Sequence, residues 1–322
     1  MKEQPSSTGW AYYGNVDNTT WGNVTYQDRA SAASKRLTYV NDARHAIVKV
    51  DNATTLTRER GRGESRLYSY GMGSLIVMDA LHIPYGCSVW PAFWTYGIQE
   101  EWPRAGEIDI IEAINGMDHN QIALHTTQGC FKGDTAAQSG QTLETDCSLP
   151  RGCIVRESKT GSFGRGFADA GGGVYALLME ATAISIWFFS RPDVPENLGS
   201  ATPSSSIDVG TWGPPTAAYP PGRCDLENYF PPQNLVLLTT LCGVWAGVPS
   251  IYRSTCPGGT GSCFDDNVIG PGNKFDTAYW EIRYVRAYMN DQFSITTTSG
   301  GTGEPSQTTT SLAGPHAFAW TL

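Results

Sequence analysis

The chain has 322 residues, with 31 acidic against 22 basic side chains, a net charge of −9 and no basic run. Nucleic acid and anionic lipid are therefore excluded as natural partners, while a neutral polysaccharide meets no electrostatic objection. Charged residues make up only 16%, beside 36 Gly and 19 Pro, which suits strands and turns better than helices. Residues 1–20 read as an N-terminal extension, irregular apart from Trp10, Tyr12 and Tyr13, which can fray or pack against the domain edge. A single large domain is expected over 21–290, since all-β domains reach this length. Beyond it, 291–322 is rich in Ser, Thr and Gly with little to bury, and is predicted to be disordered. A glycosylated stalk toward a wall or membrane anchor and a dispensable tail are both compatible with it.

Within the domain, His45–Asp51 alternates like a strand. Arg58–Glu64 is a charged, Gly-punctuated loop, and Ser65–Tyr70 a strand presenting Arg66. An arginine there can clamp a sugar hydroxyl or a carboxylate, or serve in a surface ion pair. Gly73–Asp79 is a further strand, followed by the Trp-rich stretch Val89-Trp90-Pro91-Ala92-Phe93-Trp94, with Trp102 beyond it. Gln121–Thr126 reads as a strand carrying His125, which faces either the neighbouring acids or the core according to register. Residues 127–172 are long for a loop, so they are functional or pinned by disulfides. Gly173–Leu177 and Ala183–Phe189 read as paired strands, and Pro192–Pro221 as an excursion over the surface. Asn234–Leu241 leads to Cys242–Gly247, and Ala278–Tyr288 closes the domain. No helix of ten residues and no repeat is evident, and many short strands with Gly/Pro turns argue for an all-β sandwich or jelly roll.

The stretch that asks for an explanation is Gly106-Glu107-Ile108-Asp109-Ile110-Ile111-Glu112. Isoleucines interleaved with acids read as a buried strand, where a carboxylate is costly unless paired or used. On a regular strand Glu107 and Asp109 share a face and Glu112 takes the other. A β-bulge near Ile110-Ile111 would bring Glu112 round to join them, leaving Ile108 and one following isoleucine in the core. Crowded carboxylates split their pKa values, which equips a pair for retaining glycoside hydrolysis at a separation of about 5–5.5 Å. An edge strand facing water and a carboxylate pair binding Ca²⁺ are the alternatives. The tryptophans upstream of it, Trp90, Trp94 and Trp102, favour a sugar, whose apolar ring faces stack on indoles.

Eight cysteines, none with zinc spacing, read as disulfides in an oxidising compartment, with no metal expected. Cys147 with Cys153 and Cys256 with Cys263 can each close a small loop, although eight cysteines allow 105 pairings. Sequons at Asn18, Asn23 and Asn52 agree with secretion. An extracellular or cell-wall location follows, with the signal peptide not present in this chain.

With these residues laid out, the chain resembles glycoside hydrolase family 16, especially its fungal laminarinase-type endo-β-1,3(4)-glucanases. The resemblance runs from about Val24 to Tyr288 and rests on GCSVWPAFW (86–94), GEIDIIEAIN (106–115), NQIALHT (120–126), GGGVYA (171–176), IWFF (186–189), CGVWAG (242–247) and AYWEIRYVRAY (278–288). It implies a concanavalin-like β-jelly-roll sandwich of two antiparallel sheets with a concave substrate cleft. It also implies a monomer acting on β-glucan, with Glu107 as nucleophile, Glu112 as general acid/base and Asp109 tuning Glu107. Trp94, Trp102 and Trp245 resemble the family's sugar-stacking residues, and Arg66 and His125 its polar cleft contacts. The family allows a structural calcium ion on the convex face, for which no ligand loop is legible. Leu178-Met179 and Val244 depart from the family pattern at positions expected in the cleft. A glucan-remodelling transglycosylase and a non-catalytic glucan-binding protein remain as rival readings.

Overall fold

The computed structural model describes residues 10–56, 69–133, 137–202 and 205–289, together with the backbone of 293–294 and 318–320. In chain order the strands are β1 (Thr38–Val40), β2 (Ala46–Lys49), β3 (Ser69–Tyr70), β4 (Ser74–His82), β5 (Val89–Gly97), β6 (Glu107–Glu112), β7 (Gln121–His125), β8 (Gln141–Thr142) and β9 (Cys153–Arg156). They continue as β10 (Gly173–Glu180), β11 (Ala183–Ser190), β12 (Ile207–Asp208), β13 (Ala217–Tyr219), β14 (Gln233–Leu241), β15 (Tyr279–Met289), β16 (Phe293–Ser294) and β17 (Phe318–Trp320).

Two sheets result. The first runs β1-β2-β15-β4-β10-β11-β13 with β17 on β15, and the second β3-β14-β5-β6-β7-β9-β8. Their pairings are antiparallel throughout, and the expected all-β sandwich of two such sheets is what forms. The described helices are short, the longest spanning Pro249–Thr255.

Side-chain alternation decides what lies between the sheets. Met78, Tyr175, Leu177 and Met179 of the first sheet meet Phe93, Ile108, Leu124 and Leu237 of the second in one buried cluster. The other face of the first sheet is also dry. Leu75, Val77, Val174 and Leu178 pack there beneath Leu198, Ile207, Val209 and Trp212. The excursion after β11 therefore roofs that face, which is why β10 is apolar on both sides rather than alternating. Leu178 and Met179 consequently belong to buried clusters of the first sheet, so their departure from the family pattern does not touch the face carrying the acids.

The chain ahead of the domain is also built in. Trp10 is buried between the sheets. Asp17 accepts hydrogen bonds from Thr19, Thr20, Gly22 and Thr240, tying the segment to β14. At the far end β16 pairs parallel with β12 and β17 with β15, and the rest of the predicted disordered tail lies outside the described residues.

Four disulfides join Cys87–Cys256, Cys130–Cys224, Cys147–Cys153 and Cys242–Cys263. The small Cys147–Cys153 loop is as expected, whereas a Cys256–Cys263 loop does not form. The helix before Cys256 and the turn after β14 bring each of those two cysteines against a distant partner instead. The long segment after β7 is pinned by two of the bridges.

Candidate functional site

Register places the acids. Against β5, Tyr96 pairs with Glu107, Thr95 with Ile108 and Trp94 with Asp109; then a shift intervenes, and Phe93 pairs with Ile111 and Ala92 with Glu112. Ile110 is the additional residue. Because a strand alternates with period two, one inserted residue reverses the side of everything after it. Ile108, Ile110 and Ile111 are all buried in the inter-sheet cluster. Both isoleucines at the bulge enter the core, not one as expected from sequence. Glu107, Asp109 and Glu112 are left together on the outer face of the second sheet.

Each acid has a partner there. The Trp102 indole N–H donates to Glu107 Oε2 at 2.6 Å, and that of Trp90 to Glu112 Oε1 at 2.9 Å. His125, paired in register with Glu107, sets Nε2 3.3 Å from Asp109 Oδ2 and 4.0 Å from Glu107 Oε1. Its register thus turns it toward the carboxylates rather than the core. Asp109 is 2% exposed, on the floor of the group.

Of the aromatic residues singled out from sequence, Trp102 is 55% exposed beside Glu107. Trp94 is 8% exposed, packs with Val236 and Leu238 and stacks on Tyr96 at 5.1 Å. Trp245 lies edge-on to Trp90 with ring centres 5.5 Å apart, which puts it at the Glu112 end. Val244, next to it, is exposed. Arg66 lies outside the described residues. Trp90 and Tyr96 were not predicted as site residues, yet the signal was available. Trp90, Ala92, Trp94 and Tyr96 alternate along β5 on the face that carries the acids, since Tyr96, Trp94 and Ala92 pair in register with Glu107, Asp109 and Glu112.

Burial comes first in setting the acidities. Burial, and then the charge on Asp109, push Glu107 up to about 8, against the pull of His125 and the Trp102 N–H. The same two causes hold Glu112 well above the usual carboxylate range. Burial alone would lower His125, but the hydrogen bond to Asp109 and the surrounding carboxylates outweigh it and carry it up to about 9. Among the described residues, Glu107, Asp109 and His125 form the one group of three such side chains close enough to share a metal ion. An imidazole raised this far carries a proton at neutral pH rather than a free lone pair, so the group is built to hold protons.

The strand enters the site through Gly106, whose φ is +67°. A Cβ there would lie 2.5 Å from both Phe230 Cδ1 and the Tyr229 carbonyl oxygen. Gly106→Ala is expected to destabilise the fold by about 2–4 kcal/mol through left-handed strain and overpacking. Urea unfolding checks this, and an unchanged midpoint would show that the turn relaxes freely.

A family model, the XgeA-like catalytic domain of glycoside hydrolase family 16, matches residues 10–288. A protein of Schizosaccharomyces pombe named a probable glycosidase is 37% identical over 285 residues, covering 85% of this chain and 65% of that protein. The endo-1,3(4)-β-glucanase xgeA of Emericella nidulans is 37% identical over 293 residues, covering 86% of this chain and 45% of that protein. The chain thus spans less than two thirds of these relatives' length. Among solved structures, laminarinase 16A from Phanerochaete chrysosporium, with 6-O-glucosyl-laminaritriose in donor and acceptor sites, aligns with a TM-score of 0.79 and 34% identity over 87% of this chain and 94% of that one. An elongating family 16 β-1,3-glucosyltransferase aligns with a TM-score of 0.77 and 35% identity over 86% and 93%.

Proposed function

The chain belongs to glycoside hydrolase family 16, and from that premise we propose that it is a retaining, endo-acting glycosidase of β-1,3- or mixed β-1,3/1,4-glucan. The observation that carries the reading is the bulge at Ile110, which gathers Glu107, Asp109 and Glu112 on one face beside His125.

The proton count supports the chemistry. At rest Glu107 and Glu112 hold protons beside the His125 imidazolium. Glu107 gives up its proton before it reacts, and the His125 imidazolium, 4.0 Å from Glu107 Oε1, favours the resulting carboxylate. Glu107 then attacks the anomeric carbon while Glu112 gives its proton to the leaving oxygen. One C–O bond forms to Glu107 as the glycosidic C–O bond breaks. In the second half, Glu112 takes a proton from water as that water displaces Glu107. Trp102 and Trp245 offer indoles at the two ends of the acidic strand on which sugar rings can stack. Arg66 is proposed as a further polar contact, from its place in the sequence.

NMR of the first-formed anomer on laminarin tests the mechanism, with retention expected and inversion excluding it. The likeness to an elongating glucosyltransferase favours transglycosylation as a second outcome of the same intermediate. Products longer than the substrate would select it. The four disulfides support a site of action outside the cell or in its wall, reached through the secretory pathway as a monomer. The Ser/Thr/Gly-rich composition of 291–322 supports a link to that surface.

A further inference from the structure

We infer that Asn120 is a positioning residue for the acid/base Glu112, acting by clamping the bulge through its side-chain carboxamide; the inference rests on the glycosidase reading above. Between β6 and β7, Asp109 pairs with Ala123 and Glu112 with Gln121, so two residues of β6 face only Ile122. The ladder is interrupted there, and backbone groups at the bulge need partners from elsewhere. One side chain supplies them. Asn120 Oδ1 accepts from the Glu112 backbone N–H at 2.9 Å, and Asn120 Nδ2 donates to the Ile110 carbonyl at 2.9 Å.

Asn120 is itself fully buried and fixed at both backbone atoms. Its N–H donates to Ser162 Oγ at 3.0 Å, and its carbonyl accepts from the Glu157 N–H at 3.0 Å. An aspartate in its place would accept but not donate, and a glutamine would be one methylene too long. The alternative open to β6 is a regular strand, in which one residue fewer at the bulge turns Glu112 into the apolar interior. The clamp makes the bulged form the satisfied one. Asn120 touches no reacting atom in this scheme; it fixes the backbone from which Glu112 projects.

The test compares wild type, Asn120→Ala, Asn120→Asp and Glu112→Ala on two substrates. Laminarin needs a proton on its leaving oxygen, and 2,4-dinitrophenyl β-laminaribioside does not. Asn120→Ala is expected to lose about 100-fold in kcat on laminarin, with KM little changed. The dinitrophenol burst should fall less than about tenfold, because only proton transfer by Glu112 is impaired. Equal losses on the two substrates, or full activity on laminarin, would overturn the inference. If Asn120→Ala does not fold, Asn120→Asp keeps the acceptor for Glu112 and should show the same selectivity at about tenfold. Failure of both to fold would make Asn120 a folding residue and also remove the inference. Added azide should accelerate Glu112→Ala on the dinitrophenyl substrate, giving a β-glycosyl azide. Without that rescue, or without wild-type turnover, the glycosidase reading itself falls. A rescued Glu112→Ala beside an unselective Asn120→Ala removes only the role of Asn120.

Discussion

Glu107→Gln is expected to lose at least about 10⁴-fold in turnover of laminarin, as removal of a nucleophile does elsewhere. The amide keeps the volume of the side chain and an oxygen to accept the Trp102 N–H, which now stands 2.6 Å from Glu107. It cannot form the glycosyl ester. Stability should move the other way. A carboxyl raised to about 8 in the fold binds a proton that the unfolded chain, with its ordinary value of 4.5, has already released. The folded state therefore holds more protons between those pH values, and wild-type stability falls as pH rises through that window. Gln does not titrate, so the variant gains on wild type from about pH 4.5 to about pH 8 and is the more stable protein at pH 7. Activity assays with urea midpoints at pH 5 and pH 7.5 check both halves. Substantial laminarin turnover in the variant would exclude Glu107 as nucleophile. A midpoint difference independent of pH would exclude the raised carboxyl.

The acids could be read from the sequence because alternation is a local property. Three carboxyls set among isoleucines announce a conflict between burial and charge, and only an inserted residue resolves it on one face. The bulge was legible for that reason, but its side-chain outcome was not. Whether one or both of Ile110 and Ile111 enter the core depends on the room left by Tyr175 and Leu177 across the sandwich, which no local pattern states. His125 needed the β6–β7 register, and that register is itself altered by the bulge. Asn120 carries no local mark of its role, which consists of satisfying two backbone groups of a neighbouring strand left without ladder partners. The disulfides show the same boundary. Cys147 and Cys153 lie six positions apart and pair within one loop. Cys87 and Cys256 are 169 positions apart, joined only once the sheets are stacked.

Asp109→Asn is expected to lose about 10³-fold in kcat, within the range for disturbing general acid–base catalysis, and to move the pH profile toward acid. The substitution is nearly isosteric at a side chain 2% exposed, so packing changes little. His125 then faces an uncharged amide instead of its 3.3 Å partner. The sign follows from the neighbours. Burial is the first cause raising Glu107 and Glu112, and it stays; the Asp109 charge is the second for both, and it goes. Both acidities therefore drop back toward ordinary carboxylate values. Glu107 must be ionised to attack, so the acid limb moves to lower pH. Glu112 must be protonated to assist departure, so the alkaline limb moves to lower pH as well. His125 also loses support, but below its own lowered value it remains an imidazolium, and its pull on the two glutamates persists through the acid limb. A kcat/KM profile on laminarin measures the two limbs together. If the alkaline limb stayed where wild type has it, Asp109 would not be what raises Glu112, and the three carboxyls would not be sharing their protons as one unit.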